Sequence, residues 1–261
     1  GDKPNLSAST AKTMLLQSPL HAYMYHPRLG GKHKTPSSEM DLGTLVHSLI
    51  LGVGGKVAVI DCDDWRKKDS KAQRDKHRAE GKLAVTRKLY DAAMEMAMVL
   101  KPKLEARGFP LAGKSEVTIT WEETAANGDI VPCRMRTDHI DGPEIFDLKI
   151  TESANPEFLE RQIVRMGYDV QRAAYERGLA QAVPEYAGRS RFTLLFCESS
   201  PPYCITPVRM AGSLRMLGEM KWQRAVNMWA ECLRSNHWPE YTEDVVFAEA
   251  RPWDIDAESA A

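Results

Sequence analysis

The hydrophobic pattern changes from helical to strand-like at residue 114, and this change constrains the fold more than any other feature. Beyond it, SEVTITW alternates between apolar and polar residues, and CRMRTDHID and EIFDLKI form two more strand-like segments. The last two segments are separated by Asp141-Gly142-Pro143, and Asp-Gly is typical of a tight hairpin turn. The middle of the chain therefore predicts strands, two of which are joined by a short turn.

Helical patterns precede and follow these strands. Ser7 or Ser9 caps a first helix, which breaks at Ser18–Pro19. Further helices are expected between Glu39 and Gly52, from about Val85 to a kink or end at Pro102, from Pro156 to about Gly178, and from Leu214 to Ser235, before an irregular tail. RFTLLFCE and YCITPVRM add two strands. This order predicts an α/β (α+β) fold, a central mixed β-sheet flanked by helices.

The charge balance is even along the whole chain but uneven within it. Lys and Arg number 35 against 36 Asp and Glu, for a net charge of −1, which excludes a uniformly basic nucleic-acid coat. We expect one domain, 1–261, in three parts. A mainly helical part, 1–110, contains the basic segment 66–88; a sheet-and-helix core spans 111–238; an acidic tail spans 239–261.

Several classes of protein are excluded by what the sequence lacks. No window approaches 18 consecutive apolar residues, so no transmembrane helix is predicted. The five cysteines lie far apart in the sequence, and none forms a metal-binding pair. A reduced cytoplasmic location without membrane contact is therefore the expectation.

The segment from Asp138 to Lys149 contains the residues best suited to chemistry. A hairpin brings Asp138 beside Asp147, and Asp147 and Lys149, two residues apart, share one face of a strand. Two carboxylates suit Mg²⁺ or Mn²⁺, and a lysine beside the metal could orient or deprotonate water and neutralise a phosphate. The segment thus predicts metal-assisted phosphodiester hydrolysis. The alternative is that Asp138 and Asp141 only flank a turn.

Five elements in sequence order extend this cluster. They are Gly43-Thr-Leu-Val-His47, Glu116, Asp138, Asp147-Leu-Lys149 and Gln171-Arg-Ala-Ala-Tyr175. The ordered set resembles the RecE-type exonucleases (exonuclease VIII), in the RecB-like branch of the PD-(D/E)XK nuclease superfamily, over most of the chain. The resemblance implies the PD-(D/E)XK nuclease fold. One departure is Thr137, which stands where the superfamily pattern has proline before the first acid.

The resemblance also implies roles for these residues. The metal ligands would be His47, Asp138, Asp147 and the backbone carbonyl of Leu148, holding Mg²⁺ or, as the alternative ion, Mn²⁺. The catalytic set would comprise Lys149, Asp138, Asp147, Gln171, Tyr175 and Glu116. Gln171 and Tyr175, one helical turn apart, would position phosphate or carboxylate oxygens. The alternatives are a packed core histidine at His47 and a solvent-facing strand residue at Glu116.

A DNA enzyme also needs cations and donors for phosphates. The candidates are Ser7, Ser9, Arg28, Arg134, Arg136, Tyr168, Lys67, Lys68, Lys71 and Arg74. Two alternatives stand beside them: a solvated face for the segment 66–88, where acids are interspersed, and a packed aromatic at Tyr168.

The function implied by the resemblance is a magnesium-dependent, processive 5′→3′ exonuclease acting on linear double-stranded DNA ends. It would leave 3′ single-stranded overhangs for a strand-annealing partner of the RecT type, and would assemble as a homo-oligomeric ring, with a tetramer favoured. The alternatives are a structure-specific or flap endonuclease on the same fold and a catalytically decayed DNA-binding module. The presence of Asp138, Asp147 and Lys149 argues against the decayed module.

Overall fold

The structure is a computed structural model that describes residues 4–32, 38–109, 113–242, 244–250 and 252–259. The helices of this part are α1 (Ala8–Leu16), α2 (Pro19–Tyr25), α3 (Ser38–Leu51), α4 (Lys68–Ala79), α5 (Arg87–Ala106), α6 (Pro156–Arg165), α7 (Tyr168–Ala182), α8 (Gly212–Ser235) and α9 (Pro252–Ser259). The strands are β1 (Leu6–Ser7), β2 (Val57–Ile60), β3 (Leu83–Thr86), β4 (Lys114–Ser115), β5 (Thr118–Thr124), β6 (Ile130–Arg136), β7 (His139–Asp141), β8 (Glu144–Thr151), β9 (Arg191–Glu198) and β10 (Ile205–Val208).

The strands form mixed sheets, as the sequence predicts. Within the described ranges, the largest sheet has the order β10-β9-β8-β7-β4, with β8 parallel to β9 and antiparallel to β7. A smaller sheet has the order β1-β6-β5, in which β1 runs parallel to β6 and β5 antiparallel to it. β2 and β3 form a separate parallel pair. The expected α/β fold with a mixed central sheet is confirmed.

Strand β8 lies between two apolar cores because its side chains alternate between the two faces of the sheet. Ile145 is buried in the core that includes residues of α1, α7 and α8. Phe146 and Leu148 are buried in the core formed with α3 and α5. Asp147 and Lys149 therefore project on the same side as Ile145, towards α7.

Two of the predicted strands differ from expectation, because the chain changes sheet within them. In SEVTITW, Ser115 pairs with His139 in the larger sheet, whereas Thr118 pairs with Arg136 in the smaller one. CRMRTDHID is divided in the same way, between β6 and β7. Bends of this kind form the corners at which strands leave one sheet for another.

Glu116 occupies this corner rather than the interior of a strand, where the sequence placed it. Its φ of 57° lies in the left-handed region that a non-glycine residue seldom adopts. Its backbone N–H donates to the carbonyl of Asp138 at 3.1 Å. The expectation of a strand residue was wrong because alternation in the sequence does not reveal a change of sheet.

One helix prediction also needs correction, and of the two outcomes expected at Pro102, a kink or an end, the end is excluded. The helix expected from Pro156 to Gly178 is two helices, α6 and α7, separated at Gly167, whose φ is 65°. Pro102 lies inside α5, which continues to Ala106. Proline removes the hydrogen bond to the carbonyl four residues earlier, that of Met98. The Met98 side chain is 72% exposed, so water can reach this turn of the helix.

The tail expected to be irregular contains α9. Pro252 stands at its first position, where a proline ring is well tolerated. The acidic tail predicted over 239–261 includes residues 243, 251, 260 and 261, which lie outside the described residues. Among the helices described, none has the length and apolar character needed to cross a lipid bilayer.

Candidate active site

Asp138 and Asp147 come together through the hairpin between β7 and β8. The register pairs Asp141 with Glu144 and His139 with Phe146, so one step further places Asp138 opposite Asp147. Gly142, with φ 53°, lies in the turn that sets this register. The hairpin thus brings the two carboxylates together, as the sequence predicts.

Asp147 is almost fully buried, with 2% of its surface exposed. Its Oδ1 accepts a hydrogen bond of 2.6 Å from Nε2 of Gln171 on α7. Its Oδ2 contacts the ammonium group of Lys149. Burial alone would lower the pKa of Lys149, but the charges of Asp147 and Asp138 raise it above its usual value. Lys149 is therefore a cation in the metal-free protein.

Asp138 lies just beyond the end of β6, at the point where the chain enters β7. Its Oδ2 accepts a hydrogen bond of 2.9 Å from the backbone N–H of Leu148. Burial and the neighbouring charge of Asp147 raise the pKa of Asp138 above its ordinary value. Two desolvated carboxylates facing each other form an anionic site that a cation would stabilise.

His47 approaches this site from α3, on the opposite side of the sheet from α7. Its Nε2 lies 2.8 Å from the carbonyl oxygen of Leu148, and its Nδ1 lies 3.4 Å from Oδ2 of Asp138. Because a carbonyl only accepts, Nε2 carries a hydrogen in this arrangement. The imidazole therefore touches two of the three oxygen donors expected to bind metal.

The donor set fits a divalent cation. Carboxylate and carbonyl oxygens with one imidazole suit Mg²⁺ or Mn²⁺. Among the described residues, no group of three His, Cys, Asp or Glu side chains is arranged so that it could hold a metal ion by itself. The ion would therefore depend also on the carbonyl and on water.

Two cavities meet at Asp138 and Arg136. The first, of about 390 Å³, is lined by Asp138, Asp147, Lys149, Gln171 and Tyr175 together with Ser7, Ser9, Arg134 and Arg136. The second, of about 570 Å³, is lined by His47, Thr44, Ser48, Gly54, Gly55 and Glu116. Glu116 faces this second cavity, and its carboxylate contacts the guanidinium group of Arg136.

Helix α7 covers the first cavity with polar groups spaced one turn apart. Gln171 bonds to Asp147, as described above, and the Tyr175 hydroxyl donates to the backbone carbonyl of Arg136 at 2.8 Å. Burial raises the pKa of Tyr175, so its hydroxyl keeps its proton. Tyr168 lies at the start of α7. The ammonium nitrogen of Lys149 lies over the Tyr168 ring, 4.9 Å from the ring centroid.

The other predicted DNA contacts are not part of this site. Arg28 follows α2; Lys67, Lys68 and Lys71 lie at or near the start of α4, and Arg74 lies in its middle. None of these five lines either of the two cavities, as far as the described residues show. Arg74 instead pairs with Asp75 and lies over the ring of Trp65.

Lys12 is a site residue that the sequence reasoning missed. It lies on α1 and lines the first cavity beside Ser7 and Ser9. Ser7 caps α1 by accepting from the N–H of Thr10 at 3.2 Å. Ser9 and Lys12 are three residues apart, so they share a helix face, and extending that face from Ser9 would have found it.

Comparison with known proteins agrees with this fold. Residues 7–250 match the profile of one family, described as a PDDEXK-like domain of unknown function (DUF3799). The crystal structure of a "putative exonuclease" from Eubacterium rectale superposes with a TM-score of 0.65 at 14% identity, covering 98% of this chain and 94% of that one. This likeness supports the fold alone.

A second solved structure, of the protein SSO0001, has a TM-score of 0.31 at 13% identity. It covers 72% of this chain and 85% of that one, and it adds no argument. No curated protein matches the chain.

Proposed function

Because this chain belongs to the PDDEXK-like family DUF3799, we propose that it is a metal-dependent nuclease that hydrolyses phosphodiester bonds of DNA. The observation that carries the proposal is the position of Asp138 opposite Asp147, with Lys149 on the same face of β8. His47 and the Leu148 carbonyl complete a set of donors suited to a divalent ion.

Each side chain has a task in this proposal. Asp138, Asp147, His47 and the Leu148 carbonyl would hold Mg²⁺ or Mn²⁺. The bound ion would polarise the phosphate and lower the pKa of a water molecule. Lys149, charged and fixed by Asp147, neutralises the phosphate during attack rather than removing a proton. Gln171 holds the Asp147 carboxylate in place, and Tyr175 holds the strand that precedes Asp138.

The DNA strand would follow the two cavities that meet at Asp138. Ser7, Ser9, Arg134 and Arg136 provide hydroxyl and guanidinium groups for phosphates in the first cavity. Glu116 positions Arg136 between the two cavities. The cations at the start of α4, with Arg28 and Tyr168, would act as outer contacts or as supports. Phosphates are the same at every base, so binding through these hydroxyl and guanidinium groups would be independent of base sequence.

The finer proposal is an exonuclease that digests linear duplex DNA from its ends, 5′→3′ and processively. It is supported by the ordered motifs of the RecE-type resemblance, and the name of the Eubacterium rectale protein agrees with it. A 3′ overhang produced in this way would suit a RecT-type annealing protein. A ring of subunits, with a tetramer favoured, would hold the duplex during digestion.

The test uses linear duplexes labelled at one 5′ end and a closed circular duplex of the same sequence, with and without Mg²⁺. The proposal predicts Mg²⁺-dependent release of the 5′ label as mononucleotide and an intact circle. Cutting of the circle would establish the endonuclease alternative. Absence of cleavage with both Mg²⁺ and Mn²⁺ would contradict the proposal.

A further inference from the structure

Lys12 packs beside the active site against Gly167 and Tyr168, where α7 begins. A Cβ atom added to Gly167 would come within 2.8 Å of Lys12 Cγ and 2.9 Å of Cδ. The glycine, with φ 65°, therefore gives room for the aliphatic part of the lysine as well as allowing the turn into α7. The aliphatic part of the Lys12 side chain therefore packs directly beside Gly167.

The ammonium group of Lys12 approaches the same aromatic ring as that of Lys149. Lys12 Nζ lies 5.2 Å and Lys149 Nζ 4.9 Å from the centroid of Tyr168. Cation–π contacts of this length stabilise an ammonium group that has left bulk water. The two lysines are consequently neighbours on the wall of the first cavity.

The two lysines differ in their counter-charges. Lys149 contacts Asp147, whereas Lys12 has no ion pair or hydrogen bond to any described residue. Burial and the charge of Lys149 lower the pKa of Lys12 to about 8, so it remains mainly protonated at neutral pH. A partly desolvated cation that no carboxylate contacts directly is costly in the free protein, although Asp147 and Asp169 attract it at longer range. A ligand anion would remove that cost.

The lining of the first cavity indicates which anion this is. Lys12 shares the cavity with Arg134, Arg136 and the hydroxyl groups of Ser7 and Ser9. Cations interspersed with hydroxyl groups are the usual contacts of a nucleic-acid phosphate. Asp138, Asp147 and Lys149 line the same cavity. A phosphate bound by Lys12 would therefore belong to the same DNA strand as the phosphate that is cut, and would lie close to it.

We propose that Lys12 binds a phosphate of the DNA strand next to the phosphate that is cleaved. This inference rests on the proposed nuclease function and deepens it, because it assigns the substrate contact that aligns the strand. Lys12 thereby contributes to affinity, while Lys149 contributes to the chemical step.

The experiment compares Lys12→Met with Lys12→Arg. Methionine keeps a flexible apolar chain against Gly167 and Tyr168, and arginine keeps the charge. Lys101→Met is the control, because Lys101 is exposed on α5 and lines neither cavity. DNA affinity is measured against salt without divalent metal, and kcat and KM are measured with Mg²⁺.

For Lys12→Met we expect KM to rise by about tenfold with kcat nearly unchanged, as for the loss of a charged hydrogen bond. The slope of log affinity against log salt should fall by about 0.9, the value for one neutralised phosphate. Lys12→Arg should restore the slope, and Lys101→Met should leave it unchanged. A wild-type slope and KM in Lys12→Met would overturn the inference, as would a loss confined to thermal stability.

Duplexes with a 5′ phosphate or a 5′ hydroxyl identify the phosphate. If Lys12→Met abolishes the difference between the two, Lys12 binds the terminal phosphate; if the difference persists, it binds one within the strand. Either result supports binding of a phosphate by Lys12. The binding measurement needs no cleavage, so an inactive wild-type protein would reject the proposed function and still leave the salt slope to test Lys12.

Discussion

Asp138 lies opposite Asp147 in the β7–β8 hairpin, and burial together with the charge of Asp147 raises the pKa of Asp138. A folded-state pKa above the unfolded value means that the ionised form destabilises the folded protein. This cost is present at neutral pH, and it is lost as the pH falls through the raised pKa. Ionisation of Asp138 therefore lowers the free energy of unfolding of the metal-free protein at neutral pH.

Replacing Asp138 with asparagine should reveal this cost. Without metal at pH 7.5, Asp138→Asn should melt at a higher temperature than wild type, and the difference should shrink by pH 5 as the wild-type carboxyl becomes protonated. Mg²⁺ should raise the melting temperature of the wild type more than that of the variant. A variant that melts lower at pH 7.5 would show that the bonds from Leu148 and His47 outweigh the repulsion.

Asp147→Asn should abolish cleavage while preserving DNA binding. The substitution removes a metal-binding carboxylate, whose loss should lower kcat at least about a hundredfold. It also removes a negative charge facing the DNA phosphates, so affinity should stay equal or increase. Asp141→Asn, in the exposed hairpin turn, is the matched control and should remain active. An inactive and unfolded Asp147→Asn protein would mark Asp147 as structural.

His47→Ala should weaken metal binding. Loss of an imidazole from the donor set should lower the affinity for Mn²⁺, measured by calorimetry without DNA, by about tenfold or more. His237→Ala, at an exposed position after α8, should bind as wild type. Unchanged affinity in a folded His47→Ala protein would favour the alternative of a packed histidine that only supports the Leu148 carbonyl.

The basic start of α4 should contribute to DNA binding through charge alone. Changing Lys67, Lys68 and Lys71 together to alanine should reduce the salt slope of DNA binding by about 0.9 for each phosphate that these lysines neutralise in the wild type. A double variant at two exposed cations elsewhere, Lys101→Ala and Arg224→Ala, is the control. If the triple variant keeps the wild-type slope, this part of α4 is a solvated face.

The hairpin and the positions of its charged side chains could be predicted because they depend on local rules. The turn after Asp141 sets the pairing register, and a spacing of two residues places Asp147 and Lys149 on one face. The helical conformation at Gln171 and Tyr175 was also predictable, although the break before α7 was not. These features need no knowledge of how distant segments pack.

Other features depend on tertiary structure and could not be predicted. Glu116 lies at a corner between two sheets, and alternation in its segment looks the same whichever sheet the strand joins. Gly167 separates α6 from α7 because the chain turns there, and the aliphatic carbons of Lys12 pack against it. Lys12 could have been proposed from the helix face that it shares with Ser9, but its position beside Lys149 depends on the packing of α1 against α7.

The most direct test of the central claim is the rate of Mg²⁺-dependent nucleotide release by Lys149→Met at saturating DNA and metal. Methionine preserves a flexible chain over Tyr168 but removes the charge that contacts Asp147. We expect kcat to fall at least about a hundredfold, with a folded protein and wild-type DNA affinity within a few-fold. Release at the wild-type rate by Lys149→Met would contradict the assignment of this site as the nuclease centre.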